Sequence, residues 1–175
     1  TSMIHPASDK RVALSVSAGE ALQQGSVLKF TNMPDGTGRL QAFKATNSGD
    51  IVKYGTFLAY YITPDSQDIE FVGAPESTAF ALNSATGIGG GTNTIASGAE
   101  FVALGGRGTL IRIDANSLNG TPTAATLAGA EYQPGKSLKV NATSGLLDTQ
   151  SGGSIHVDAA LVIDNDTRTL VVMLA

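Results

Sequence analysis

Cysteine is absent from this chain of 175 residues, which rules out a disulfide framework, a thiolate metal site and a cysteine nucleophile. Stability has to come from core burial, backbone pairing or assembly. Tryptophan is absent too, and aromatic residues make up only 6% of the chain, a thin supply for the platforms on which proteins stack sugars. Charged residues reach 15%, where about 25% is usual for a soluble domain. Basic charge is especially short. The net charge is −4 and the sequence pI about 5.0, which argues against a surface that tracks nucleic-acid phosphates. No run of about 18 apolar residues is present to form a membrane-spanning helix. The opening TSMIHPASDKR lacks the apolar centre of a signal peptide, and a start at Thr1 fits removal of an initiator methionine.

Gly, Ser, Thr, Asn and Ala fill the place of the missing charges, while 42% of the residues are apolar. That mixture predicts a globular fold of many short strands joined by tight turns, with a surface suited to neighbours. RVALSVS sets Val12, Leu14 and Val16 against Ala13, Ser15 and Ser17, the period of two of a half-buried strand. SVLKFT and RLQAFKA follow, joined by NMPDGTG, where Pro34, Asp35 and Gly36 are turn formers. DIVKYGTFLAYYIT is the stretch richest in β-formers (Ile51, Val52, Tyr54, Phe57, Tyr60, Tyr61, Ile62) and reads as strand, with a bulge or bend at Gly55. DIEFVG, EFVAL and GTLIRI read as further short strands. IHVDAALVI and RTLVVMLA flank DNDT as a terminal hairpin.

Helical signals are weak: PESTAFALN and NGTPTAATLAGA each allow a turn or two. The stretch from Ser84 to Gly98, SATGIGGGTNTIASG, is too rich in glycine for a regular element and is expected as one long loop. It is either a plain surface loop or a contact with a neighbouring subunit through Ile88, Gly89, Gly90 and Gly91. Residues 1–11 read as an extended arm or a frayed terminus, and residues 12–175 as a single β domain.

One phrase occurs twice. AGEALQQGSVLKF (Ala18 to Phe30) and AGAEYQPGKSLKV (Ala128 to Val140) align Ala, Gly, Gln, Gly, Leu and Lys. In both, a first glycine (Gly19, Gly129) allows a turn and a second (Gly25, Gly135) opens a strand. Leu28/Phe30 and Leu138/Val140 then face inward while Lys29 and Lys139 face out. Each copy leads into a return strand, giving related hairpin units near 18–45 and 128–150. They are either an internal repeat or a chance likeness in a Gly/Ser-rich β protein.

Chemistry is harder to find. GIGGGTNT, PGKS and GGRGT each lack part of the phosphate-binding Gly-x-x-x-x-Gly-Lys-Ser/Thr loop and read as turns. No Gly-x-Ser-x-Gly elbow exists for a nucleophilic serine. The two histidines are His5 and His156. His156 and Asp158 share one strand face, but two ligands make no zinc site, and the pair reads as solvent-facing. DNDTRT lacks the glycine and glutamate of a calcium loop. No two carboxylates stand out as a glycosidase pair. Tyr54, Phe57, Tyr60 and Tyr61 read as core or interface. The Asn-x-Thr triplets at Asn119, Asn141 and Asn165 would carry sugar only in a secreted eukaryotic chain. Neither an enzyme nor a cofactor is expected.

AGEALQQGSVLKF…GRLQAFKA, then GDIVKYG, EFVALGGRGTLIRI and PGKSLKVNATSGLLDTQ, resemble the capsid decoration, or cement, proteins of tailed bacteriophages. The likeness covers Ala18 to Tyr54 and Glu100 to Gln150, with no counterpart for Pro64 to Ser97. It implies an all-β body, a β-barrel, β-tulip-like fold or sandwich, sitting on the outer face of an expanded capsid. It also implies synthesis in the host cytoplasm and the major capsid protein as partner. A homo-oligomer is implied, a trimer ahead of a dimer, with no nucleic-acid or membrane partner. The arm would grip the capsid, adding a strand to a sheet edge with Met3 and Ile4 as apolar anchors and with His5, Pro6, Lys10 and Arg11 beside them. Ordering such an arm costs about 1–2 kcal/mol per residue, which several arms on one oligomer offset through avidity gains of about 10²–10⁴. The rival reading is a carbohydrate- or host-surface-binding β module of a tail or fibre.

Overall fold

The computed structural model describes residues 12–32, 40–60, 69–71 and 94–175, and it is all-β apart from short helical pieces. The expected alternation becomes β1 (Val12–Ala18), then β2 (Leu22–Gln23), β3 (Leu28–Asn32) and β4 (Leu40–Lys44). After a helix, α1 (Ser48–Tyr54), come β5 (Phe57–Tyr60), β6 (Ile69–Phe71), β7 (Thr94–Ile95), β8 (Glu100–Gly105) and β9 (Leu110–Asp114). A 3₁₀ turn (Ala115–Ser117), a four-residue helix α2 (Ala124–Leu127) and a second 3₁₀ turn (Ala130–Tyr132) follow. The chain ends in β10 (Ser137–Val140), β11 (Leu147–Asp148), β12 (Ile155–Asn165) and β13 (Thr169–Leu174).

Five strands form one sheet in the order β3-β4-β1-β8-β5. Only β1 and β4 run parallel; the other pairs are antiparallel. The sheet curls into a half-barrel whose edges meet where Val27 bridges Leu58. Two hydrogen bonds hold that seam, from Gly25 N–H to Ala59 O at 2.9 Å and from Ala59 N–H to Ser26 O at 2.9 Å. The concave side holds Val16, Ala18, Leu28, Phe30, Ala42, Phe57, Ala59, Phe101 and Ala103. Leu22 and Ile95, paired across β2 and β7, complete that cluster. Phe30 and Phe57 meet edge to face at 5.3 Å, the arrangement favoured by the ring quadrupole.

The second sheet has six antiparallel strands in the order β11-β10-β12-β13-β9-β6. Ile111, Ile113, Leu138, Val140, Ile155, Val162, Leu170, Val172 and Leu174 line its inner face. They pack with Val27, Leu58, Tyr60 and Leu104 of the first sheet. Strands β5 and β8 therefore divide their residues between two cores: Phe57, Ala59, Phe101 and Ala103 into one, Leu58, Tyr60 and Leu104 into the other. Both faces being buried, these strands read as continuous apolar runs without alternation. The chain passes from β8 to β9, and so from one sheet to the other, through GGRG. Gly106 and Gly108 have φ of 100° and 86° there, a region open chiefly to glycine.

Two expectations are corrected. GDIVKYG is helix α1, despite β-favouring Ile51, Val52 and Tyr54. Asn47 and Asp50 form a reciprocal capping box: Asp50 N–H donates to Asn47 Oδ1 and Asn47 N–H to Asp50 Oδ2, each at 3.2 Å. Gly55, with φ 75°, ends the helix. Two satisfied caps outweigh the few tenths of a kcal/mol per residue by which β-branched side chains disfavour helix. The Gly-rich stretch is likewise not loop throughout, because Thr94–Ile95 pairs with β2 and buries Ile95 to 1% exposure. Ser84 to Asn93 and PESTAFALN lie outside the described residues, and Ala96 to Gly98 form a turn.

Both copies of the doubled phrase make hairpins. Leu28 faces Lys44 in the β3–β4 register, and Val140 faces Leu147 in β10–β11. Leu28, Phe30, Leu138 and Val140 are buried, while Lys29 and Lys139 are half-exposed. Gly25 (φ 87°) and Gly135 (φ 91°) adopt the same left-handed turn. The first glycines sit at bends, as expected of turn positions, but in another backbone conformation. Neither Gly19 nor Gly129 has positive φ; Gly19 instead carries the Phe43 ring, which a Cβ there would strike at 2.3 Å.

Candidate functional site

The residues singled out for contact with other molecules, Met3, Ile4, His5, Pro6, Lys10 and Arg11 in the arm and Ile88 to Gly91 in the loop, lie outside the described residues. The His156–Asp158 pair is described: both side chains are exposed on β12, and Asp158 accepts from Gln150 Nε2 at 2.9 Å. DNDTRT is the hairpin turn between β12 and β13. Asp166 Oδ1 accepts from Arg168 N–H at 2.7 Å and Thr169 N–H at 2.8 Å, and these bonds hold its carboxyl below the usual range. PGKS is a turn, with Gly135 N–H on Val162 O at 2.8 Å and Lys136 exposed. Phe57 and Tyr60 are core. Among the described residues, no three of His, Cys, Asp and Glu gather closely enough to hold a metal ion, and no helix is long and apolar enough to cross a membrane.

The most developed polar constellation was not anticipated. Asp148, on the two-residue strand β11, is 6% exposed. Its Oδ2 accepts from Asn119 Nδ2 at 2.9 Å and Asn141 Nδ2 at 3.4 Å, and its Oδ1 from Thr149 N–H at 2.8 Å. Asn119 is oriented by Ser144, whose hydroxyl donates to Asn119 Oδ1 at 2.7 Å. Asn141 is oriented by Thr143 and Ser144 N–H groups on its Oδ1. Above the carboxylate the chain passes so close that a Cβ on Gly152 would lie 2.5 Å from Asp148 Oδ2. Burial, then the Asp148 charge, then Glu131, push the Tyr132 hydroxyl up to about 12.

This arrangement is a polar clasp. One carboxylate joins the turn after β9, the β10–β11 hairpin and the loop before β12, with neutral donors bearing on a buried charge. The asparagines of all three Asn-x-Thr triplets are spent on the fold, since Asn165 Nδ2 donates to Leu127 O at 3.0 Å. One sequence signal pointed to the clasp: an acidic residue directly after Leu146–Leu147 is unfavourable in a strand unless something receives it.

A second feature is apolar. The outer face of the six-stranded sheet carries Leu110 at 38% exposure and Ile163 at 41%, with half-buried Leu161 and Met173 between the flanking strands. Ile163 occupies the irregularity where the register shifts between Val162/Val172 and Asp164/Val171, so a bulge turns an apolar residue to the outside.

Compared with protein-family models, with curated proteins and with solved structures, the chain matches none of them.

Proposed function

We propose that this protein is a virion structural protein that decorates and cements the outer surface of an expanded phage capsid, binding across neighbouring major capsid protein subunits as a homo-oligomer. It works by adhesion, with no turnover. The observation that carries this reading is where the sequence likeness falls. AGEALQQGSVLKF and GRLQAFKA supply the seam and one side of the half-barrel, EFVALGGRGTLIRI the corner between the sheets, and PGKSLKVNATSGLLDTQ the hairpin closed by the Asp148 clasp. The shared phrases are those that make the body stiff, and a body that ties neighbours together has to resist deformation. Asn47, Asp50, Asn119, Asn141, Asp148 and Asp166 are likewise spent on the chain's own turns and caps.

The test adds purified protein to expanded capsids of the source particle. The expected result is protrusions of 17.8 kDa per copy in electron micrographs and a higher thermal rupture temperature. Deleting residues 1–11 should weaken uptake; equal uptake removes the arm from the mechanism. Bare shells together with specific binding on a glycan array would replace this reading with that of a host-surface-binding module.

A further inference from the structure

We propose that Asn119–Gly120 is a self-modification site, at which the Gly120 amide nitrogen displaces the side-chain amide of Asn119, and that the Asp148 clasp holds this reaction off. Asn119 is the only asparagine of the chain that glycine follows. A residue without Cβ leaves its own amide nitrogen open to approach and its backbone free to turn. Gly120 is exposed, and a Cβ on it would meet nothing within 4 Å, so the turn is open on that side. The fold itself requires this glycine. Thr121 N–H donates to Leu118 O at 3.2 Å and Gly120 has φ 74°, the type II turn with a left-handed third residue. Beside it Thr121, at φ 44°, is the one residue other than glycine with positive φ among the described residues. A β-branched side chain is strained there, which favours opening of the turn.

The Asn119 side chain is tied at both ends. Its Nδ2 donates to Asp148 Oδ2 at 2.9 Å and its Oδ1 accepts from the Ser144 hydroxyl at 2.7 Å. Its main-chain N–H donates to Leu147 O at 2.9 Å. Attack requires Cγ to fold back over its own main chain onto the Gly120 nitrogen, and that rotation breaks both side-chain bonds. The closed clasp is unreactive, and the rate follows the small population in which it opens. In the open form the Gly120 nitrogen gives up its proton and bonds to Asn119 Cγ; the Cγ–Nδ2 bond breaks, and ammonia leaves with a proton regained from solvent. One water then opens the five-membered imide. Cleavage at Cγ gives aspartate, and cleavage at the main-chain carbonyl gives isoaspartate, with the chain rerouted through the side-chain carbon. Either product replaces a donor to Asp148 with a second carboxylate, and two carboxylates sharing a site cannot both ionise without cost. The clasp does not reclose, so the change runs one way. Asn141 also donates to Asp148, but alanine follows it and it is spared. The proposal concerns the chain alone and does not depend on capsid binding.

Peptide mapping by mass spectrometry tests it on the purified chain, aged at mildly alkaline pH with and without urea. The reaction reads as the mass gain of OH for NH₂ at Asn119, with aspartate and isoaspartate peptides separating. In urea Asn119 should convert readily; in the folded chain it should convert roughly a hundredfold more slowly. Ser144→Ala removes one tie and should speed the folded-state reaction roughly fivefold, and Asp148→Asn roughly tenfold or more. Ser144→Ala carries the test if Asp148→Asn fails to fold. Asn47→Ala, which loosens helix α1 and leaves the clasp intact, should not change the rate. Asn119→Asp imitates the product: its urea midpoint should fall at neutral pH, with the deficit narrowing in acid as one of the two carboxyls takes up a proton. Equal rates with and without urea, or no conversion at Asn119 in urea, overturn the proposal. So does a slower reaction in Ser144→Ala, which would make that hydroxyl an activator of the amide. Equal acceleration by Asn47→Ala would place the opening in the whole fold, and an Asn119→Asp variant as stable as its parent would leave nothing to prevent reclosure; each overturns it too.

Discussion

Replacing Asp148 by alanine tests the clasp at its centre. The substitution removes one acceptor group and leaves three donors behind: Asn119 Nδ2, Asn141 Nδ2 and Thr149 N–H. An orphaned buried donor costs about 1–3 kcal/mol. The bond from Asn141 is long, at 3.4 Å, and counts at the bottom of that range. Thr149 is 7% exposed, so its amide has little access to water and counts nearer the top. Asn119 is half-buried and also counts near the bottom, so the sum is a loss of about 5 kcal/mol, a fall in melting temperature of roughly 10–20 °C for a chain of this length. Asp148→Asn is the finer probe. Its amide can present one oxygen, either to the two asparagines or to Thr149 N–H, and its NH₂ then confronts the other donor. About 2 kcal/mol should go, with shape conserved.

Urea unfolding followed by far-UV circular dichroism measures both variants, with the midpoint falling and the slope unchanged. A second readout separates charge from packing. Asp148→Asn should lower the late tyrosine titration seen in ultraviolet absorbance, because the carboxylate is the second cause of the raised Tyr132 value. Burial is the first, and should keep it above 10. Asp148→Ala within about 1 kcal/mol of the parent would refute the reasoning, since water must then be serving the three donors.

Gly25→Ala meets two obstacles, a φ of 87° and a Cβ placed 2.8 Å from Ser117 O; a loss of about 2–3 kcal/mol in the same urea assay is expected. Asn47→Ala removes the side-chain half of the α1 capping box and should cost about 1 kcal/mol. Tyr132 gives an alkaline limit. Its neutral form is favoured in the folded chain, so its contribution is complete below pH 10 and is lost as pH rises from 10 through about 12. The loss amounts to on the order of 2 kcal/mol, and Tyr132→Phe should flatten that part of the stability–pH profile. Asp166 works in the opposite sense. Its carboxyl is held below the usual range, so its contribution is present above about pH 4 and fades as pH falls through the lowered value. Asp166→Asn should therefore reduce the acid sensitivity of the β12–β13 hairpin in amide exchange.

Strands were legible wherever one face meets a core and the other meets water. β1, β3 and β4 carry that alternation, and the DNDT turn joins β12 and β13 as its residues dictate. Where both faces are buried, the rule falls silent. FLAY and EFVALG name strands without saying that each serves two cores. Helix α1 was hidden because Ile51, Val52 and Tyr54 outvoted a cap spelled Asn47-x-x-Asp50, although the cap was in plain view. β7 was hidden by its glycine-rich surroundings, and only its partner Leu22 gives Ile95 a reason to be ordered. The clasp escaped for a different reason: its members lie 29 residues apart at Asn119 and Asp148, and nothing local to either announces the other.

The half-barrel and the six-stranded sheet are not two bodies set side by side. Leu58 and Tyr60 leave β5 for one core while Phe57 and Ala59 leave it for the other, and β8 divides in the same way. Neither core can be assembled without these strands, and neither strand is satisfied by one core alone. The seam at Val27 and Leu58 adds to this coupling, since closing the half-barrel also places both side chains in the larger core. A substitution that loosened the barrel would therefore reach the second sheet through shared side chains and not through a linker. Such coupling gives the outer face of that sheet a fixed shape.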